Sequence, residues 1–453
     1  MVSISGALRR IKQDVLAPLG RTVIEEVCRE LSHVWRSGPL DPANTVALFV
    51  RQIVEGNVSC EQVRHLGDEP FTAAAYCQAR QRLPLVVLQR LSARVCDAIR
   101  EGTADQAEYQ WFGHRVHLLD ASSFSMPDTP ELREHFGMPT NQKPGCGFPV
   151  SHVLGLFDAR TGVWEADVVS PLRTGDVSNA PQTHGRMGEG DVVLGDDSFS
   201  TYGHVALLLQ GKMNALFPNH HKRMVDFTPG RPHGKPGERS NGKFKGLPSS
   251  RWIRSLGRDD QLVEWFRPRE RPKWMTAEQF DALPESVIVR EVRRTVRRKG
   301  FRPITVTVIT TLLDPREYPA EELIKLRMSR WVVETDLRHL KTTMGMDLLR
   351  CESVEGVKKE LAVFQIVYNL VRVVMMEGAR RQGVPLDRIS FADALAWLRH
   401  AGTDDDLPDL VVNPHRPNRV EPRAVKRRPK EYDRLTKPRE ELRKALKNKE
   451  QSV

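Results

Sequence analysis

The chain offers no Cys-x-x-Cys pair: Cys28, Cys60, Cys77, Cys96, Cys146 and Cys351 stand scattered, which excludes a disulfide framework and a structural zinc site. A reduced, intracellular compartment is therefore expected. Met1 to Leu19 lacks an apolar stretch followed by a small-residue cleavage site, so no secretory signal is expected. Long apolar runs are equally scarce. The most apolar segment, Leu361 to Met376, is too short for a membrane span and is broken by Gln365, Asn369 and Arg372. Those three fall at i, i+4 and i+7, the wet stripe of a largely buried helix, and the protein is read as soluble with no membrane partner.

Positive charge is in excess. A net charge of +11 and a pI near 9.4 point to a polyanionic partner, because clustered Lys and Arg release condensed counterions when they meet phosphates. Arg416 to Val453 holds fourteen Lys or Arg against six Asp or Glu, with four prolines and few apolar residues. It reads as a tail that is extended or disordered until bound, or else as a merely solubilising one. A second cluster lies in Val287 to Ile309, where β-branched and polar residues alternate on both sides of Arg297, Arg298, Lys299 and Gly300, a hairpin signature. Arg290, Arg293, Arg294, Arg297, Arg298, Lys299 and Arg302 would crowd one end of that ribbon; it either faces phosphates or is simply well solvated. Asn219 to Trp252, rich in Gly, Pro, Lys and Arg, reads as a long surface loop.

At 453 residues the chain has room for two to four domains, or for one core with large insertions. Helical spacing over Thr45 to Val54 and Leu85 to Ile99, separated by the Gly56-Asn57 break and by Phe71 to Pro84, predicts a helical N-terminal domain. Short β-type runs follow at Arg115 to Leu119, Val150 to Phe157, Val163 to Val169 and Asp191 to Leu194. Helical pattern returns over Ala320 to Met344 and Val357 to Gln382. Strands then helices, with strand-rich sequence between, predict an α/β core carrying an inserted β subdomain.

Three acidic segments stand out. In Arg115-Val-His-Leu-Leu-Asp120, an apolar strand delivers a carboxylate at its C-terminal end, a common place for a catalytic group and also for a turn cap. Gly190-Asp-Val-Val-Leu-Gly-Asp196-Asp197 repeats the arrangement; the adjacent carboxylates repel, and either a bound cation or a solvated loop tip relieves them. In the third segment Arg327, Arg330, Glu334 and Lys341 fall within roughly 60° of one helix face. Arg330 and Glu334 alone would be an ordinary i, i+4 pair. Three carboxylates are what a two-metal phosphoryl-transfer site requires, with Arg and Lys to hold phosphates in line.

Arg330-Trp331-Val-Val-Glu334, running on to Lys341, resembles the catalytic helix of DDE insertion-sequence transposases with the Tyr-x2-Arg-x3-Glu-x6-Lys signature. Arg327 replaces the signature tyrosine. Leu118-Leu-Asp120-Ala-Ser-Ser and Gly195-Asp196-Asp197-Ser-Phe199 are similar to that family's other two blocks, with Asp196 in the catalytic place and Asp197 in a variable one. Arg271 to Met275, leading to Leu283 to Arg290, also resembles the family's β-rich insertion.

The resemblance implies a ribonuclease-H-like core in two parts, 106–215 and 316–382, interrupted by a β-rich insertion over 216–315. A helical DNA-binding domain over 1–105 and a C-terminal helical region with a basic tail over 383–453 would flank it. It implies Asp120, Asp196 and Glu334 as catalytic ligands of two Mg²⁺ ions, with Mn²⁺ as a substitute, and Arg327, Arg330, Lys341, Arg297, Arg298 and Lys299 as DNA contacts. The partners implied are double-stranded DNA, as terminal inverted repeats and target, and a second copy in a homodimer, acting in the bacterial cytoplasm at the nucleoid. Trp331 is a candidate to stack on an unpaired base or else a core residue, with Trp252, Trp265 and Trp274 equally open. Two other functions fit the same residues: a nuclease of this fold without strand transfer, and a domesticated DNA-binding protein without catalysis.

Overall fold

The β-branched, apolar runs in the middle of the chain line up as one sheet because each alternates a residue toward either face. In a computed structural model, which describes residues 12–104, 106–140, 143, 145–234, 246–297, 302–414 and 435–450, nine strands form that sheet. They are β1 (Val116–Ser125), β2 (Val150–Asp158), β3 (Trp164–Pro171), β4 (Val192–Leu194), β5 (Asn214–Pro218), β6 (Arg251–Gly257), β7 (Asp260–Phe266), β8 (Ser286–Val296) and β9 (Ile304–Thr310). Their order is β3-β2-β1-β4-β5-β9-β8-β7-β6. β1, β4 and β5 run parallel, and every other neighbouring pair is antiparallel.

Three expectations change here. The strands of 216–315 do not form a sheet of their own, because β9 pairs along β5 and covers the edge that β5 would otherwise leave open. Arg290 does not join the charge at the end of the β8–β9 hairpin; it is fully buried, and its Nε and Nη2 donate to Asp260 at 2.8 and 2.6 Å. Described parts of Asn219 to Trp252 are not merely surface: Arg223 lies 3.5 Å over the Trp265 ring and Arg231 donates to the Ser250 carbonyl at 2.7 Å.

A 29-residue core helix, Val354–Gln382, packs against β3, capped by the Ser353 side chain and stopped by Gly383 at φ 62°. Among the described residues it is the one helix long and apolar enough to cross a membrane, but 83% of its apolar window is buried in the protein. Gln365, Asn369 and Arg372 are not a wet stripe: all three are buried. Asn369 accepts from Trp164 N and donates to Trp164 O, Gln365 accepts from Ser92, and Arg372 Nε donates to the Thr161 carbonyl at 2.7 Å. They are polar because they tie the helix to buried backbone groups, of Trp164 at the start of β3 and of Thr161 in the turn before it.

The N-terminal helices Pro42–Val54 and Leu85–Thr103 pack on this helix and share its hydrophobic core, so no separate core closes at residue 105. The segment Phe71 to Pro84, expected only to separate two helical stretches, contains the helix Ala73–Arg82, capped by Thr72. In the basic tail, 415–434 lies outside the described residues, but Arg439–Glu450 is helical, with Glu440 and Glu441 in its first turn. Arg439 anchors it to buried Asp128.

Candidate active site

Asp120 sits in mid-strand and not at a strand end, because β1 continues through Ser125 on its pairing with β2. The parallel partner β4 accompanies β1 only from Val116 to Leu118. Asp120 therefore lies just past the point where one neighbour leaves, in the crevice outside the carboxyl end of β4. Asp196 follows β4 by two residues and caps the short turn Asp197–Phe199, its Oδ1 accepting from Ser198 N at 2.8 Å and Ser198 Oγ at 2.5 Å. Asp197 turns away and accepts from His221 Nδ1 at 2.8 Å, which holds its carboxyl below the usual range.

Glu334 arrives on a helix that is not continuous. The Ser329 hydroxyl donates to the Leu326 carbonyl, the acceptor Arg330 N would use in an unbroken α-helix. Arg330 N bonds Arg327 O instead, and Val333 N bonds Arg330 O, both tight i to i+3 contacts. The helix Ala320–Ser329 thus gives way to Trp331–Arg338, and a π turn over His339–Thr343 follows.

These pieces meet in a cleft of about 560 Å³ whose lining includes Asp120, Asp196, Arg330, Glu334, Arg338, Lys341 and Asp347. The Arg330 guanidinium stands between two of the carboxylates, 3.4 Å from Asp120 Oδ2 and 3.4 Å from Glu334 Oε1. Burial raises the Asp120 carboxyl above its ordinary range; Arg330 and the Ala121 N–H oppose this, while Asp196 and Glu334 add to it. Three acids distant in sequence thus act on one another electrostatically. Lys341 Nζ donates to Ser122 Oγ and Ser123 O, each at 3.1 Å, and lies 5.4 Å from the Phe124 ring centre.

Arg327 does not line the cleft. It is half-buried, its Nε lacks a hydrogen-bond partner among the described residues, and burial and Arg330 pull its guanidinium down while Asp196 and Asp197 pull it back. Arg297 is exposed at the end of β8, and Arg298 and Lys299 lie outside the described residues. The Trp331 side chain also lies outside them; Trp265 is buried under Arg223.

Arg338 and Asp347 were missed in the sequence. Arg338 was within reach, since eleven residues beyond Arg327 is about 20° around the same face. Asp347 was not, because it follows the π turn and Gly345 at φ 75° and is brought in by pairing of Leu348 with Ser125.

Among the described residues no three His, Cys, Asp or Glu side chains are already arranged to hold a metal ion, and Arg330 lies between carboxylates at this cleft. The donors nonetheless suit a hard divalent cation: all are carboxylate oxygens, and one is raised by burial and by its acidic neighbours.

Residues 111–370 match the family described as the transposase DDE domain. The transposase InsG for insertion sequence element IS4 of Escherichia coli (strain K12) is 25% identical over 389 residues, 81% of this chain and 79% of that protein. A cryo-EM structure of the piggyBac transposase synaptic complex with hairpin DNA overlaps 86% of this chain and 79% of its own at 12% identity and a TM-score of 0.41, too loosely to add to the assignment. Use of divalent metal goes with the matched family in general. The match spans more than half of the sequence and both the Asp120 and Glu334 segments: the chain belongs to the DDE transposase family and is a DNA transposase.

Proposed function

We propose that Asp120, Asp196 and Glu334 are the catalytic metal ligands of a cut-and-paste transposase, on a ribonuclease-H-like core formed by β3-β2-β1-β4-β5 and the helices around it. The observation that carries this is the convergence of the three carboxylates in one cleft with Arg330, Arg338 and Lys341. A pair of Mg²⁺ ions, or Mn²⁺ in their place, would supply activation of the attacking oxygen and stabilisation of the leaving one. This chain's own residues do the rest. Arg330 and Lys341 bind phosphates flanking the scissile bond: Arg330 exchanges its carboxylates, and Lys341 its serine contacts, for phosphate oxygens. Arg327, half-buried, tunes the charge around Asp196 and Asp197; Arg297, Arg298 and Lys299 contact DNA backbone.

On this reading the water-cut strand end attacks the opposite strand through a hairpin and later joins target DNA. Two copies pair two terminal inverted repeats, with the N-terminal helices reading the repeats, in the bacterial cytoplasm at the nucleoid. The test is a strand-transfer assay on DNA bearing the transposon ends. Joined product with the unmodified chain, and loss of both cleavage and joining without loss of DNA binding in Asp120→Asn, Asp196→Asn and Glu334→Gln, is expected. Cleavage without joining would leave a nuclease, and full cleavage by any of the three variants would remove that residue from the site.

A further inference from the structure

Beneath the Asp196 turn lies a pair of imidazoles that none of the chemistry above uses. His204 belongs to the first turn of the helix Tyr202–Gln210 and is fully buried, its ring stacked 5.4 Å from Phe217. Its Nδ1 lies 3.0 Å from the Phe199 carbonyl, the last residue of the turn that Asp196 caps. Its Nε2 lies 3.3 Å from Nε2 of His184, which comes from a separate segment, Ala180–Arg186.

Hydrogen-bond chemistry fixes the protons on this pair. A carbonyl only accepts, so His204 must carry its hydrogen on Nδ1. In a neutral ring Nε2 is then a bare acceptor, and a hydrogen bond across the 3.3 Å contact requires His184 to carry its hydrogen on Nε2. Burial pulls both rings below their ordinary values, to about 3 for His204 and about 4 for His184, so both are neutral at physiological pH. The opposite tautomer of His204 would aim a lone pair at the carbonyl.

The turn above has little other freedom. A Cβ at Gly195 would come within 2.5 Å of the Phe199 ring, so the ring lies directly under the backbone that precedes Asp196. Ser198 holds Asp196 Oδ1 from one side, and Thr201 N and His204 hold the Phe199 carbonyl from the other. We infer that His204 and His184 are positioning residues for Asp196: a directed hydrogen-bond chain, His184 Nε2–H to His204 Nε2 and His204 Nδ1–H to Phe199 O, sets the turn that aims the Asp196 carboxylate into the cleft. The inference rests on the reading of Asp196 as a metal ligand, as outer hydrogen bonds orient ligands elsewhere.

The full-length chain labelled with ¹⁵N in its histidines tests this by nitrogen chemical shift and coupling. The expected spectrum has His204 protonated on Nδ1, His184 protonated on Nε2, and a coupling across the Nε2–H···Nε2 bond. Titration with Mn²⁺ is the second readout. His204→Leu and His184→Leu are expected to weaken Mn²⁺ binding by about 10–100-fold, and His204→Asn and His184→Gln, which keep an N–H near the required position, to restore most of it. A His204 proton on Nε2, or unweakened Mn²⁺ binding by a folded His204→Leu protein, overturns the positioning role and leaves Asp196 as a ligand untouched. Unchanged Mn²⁺ binding by Asp196→Asn overturns the ligand reading and the inference with it. If His204→Leu does not fold, the spectrum of the unmodified chain still decides.

Discussion

At the scale of single residues, the neighbouring acids Asp196 and Asp197 part company because one caps a turn at the cleft and the other pairs with His221 outside it. Asp197→Asn is therefore expected to cleave DNA near the unmodified rate where Asp196→Asn does not, in a side-by-side nicking assay. His117 marks a different kind of residue. Fully buried on β1, it lies 2.5 Å from Glu165 and 2.8 Å from Asp191, and although burial alone would lower it, these carboxylates push the imidazole up to about 10. A base raised in the folded state contributes stability that is complete below its unfolded value near 6.5 and is lost as pH rises through about 10. Urea melts from pH 6 to 11 should show that decline, and His117→Leu, which takes the charged partner from buried Glu165 and leaves Asp191 with only Gly188 N and Arg100, should cost about 3–5 kcal/mol and flatten it. A melt indifferent to pH across that window would mean that His117 is not charged.

At the scale of elements, the broken helix decides where Glu334 points. Alternation and helical period are readable because burial imposes them, so β1 to β4 and the helix pattern from Ala320 onward could be located in the sequence. The break at Arg330 could not, since it depends on one hydroxyl, Ser329, outcompeting a backbone N–H for Leu326 O. Ser329→Ala should restore the regular bond, stabilise the helix slightly and turn Glu334 relative to Asp120, so that cleavage falls while thermal stability holds or rises. Cleavage at the unmodified level would show that the break has no part in aiming Glu334. The core helix makes the converse point. Its polar residues looked like a wet face, because a sequence cannot tell a side chain reaching water from one reaching a partner's backbone. Asn369→Leu, which leaves Trp164 N unpaired while Gln365 still donates to Trp164 O, should lose about 1–3 kcal/mol, seen as a lower urea midpoint with unchanged slope.

At the scale of the whole molecule, strand neighbourhood made the difference between what was legible and what was not. The three acidic segments could be found because each pairs a local pattern with a carboxylate, but the pairing of β9 with β5, which merges the expected insertion into the main sheet, is a long-range contact with no local signature. The tail was only half legible: its charge is plain, but the docking of Arg439 on Asp128 is not. Deleting 416–453 should weaken DNA binding and flatten its dependence on salt, because phosphate contacts release counterions in proportion to their number. Arg439→Ala is the control that undocks the last helix while keeping the remaining basic residues. An unchanged salt slope after the deletion would make the tail a bystander.

Fe²⁺-directed hydroxyl-radical cleavage of the polypeptide tests most directly the sharing of one metal site by three carboxylates. Backbone scission is predicted at three separated places, around Asp120, Asp196 and Glu334, competed away by Mg²⁺ and lost from all three when Asp120 becomes Asn. Scission confined to other segments, or persisting unchanged in Asp120→Asn, would contradict it.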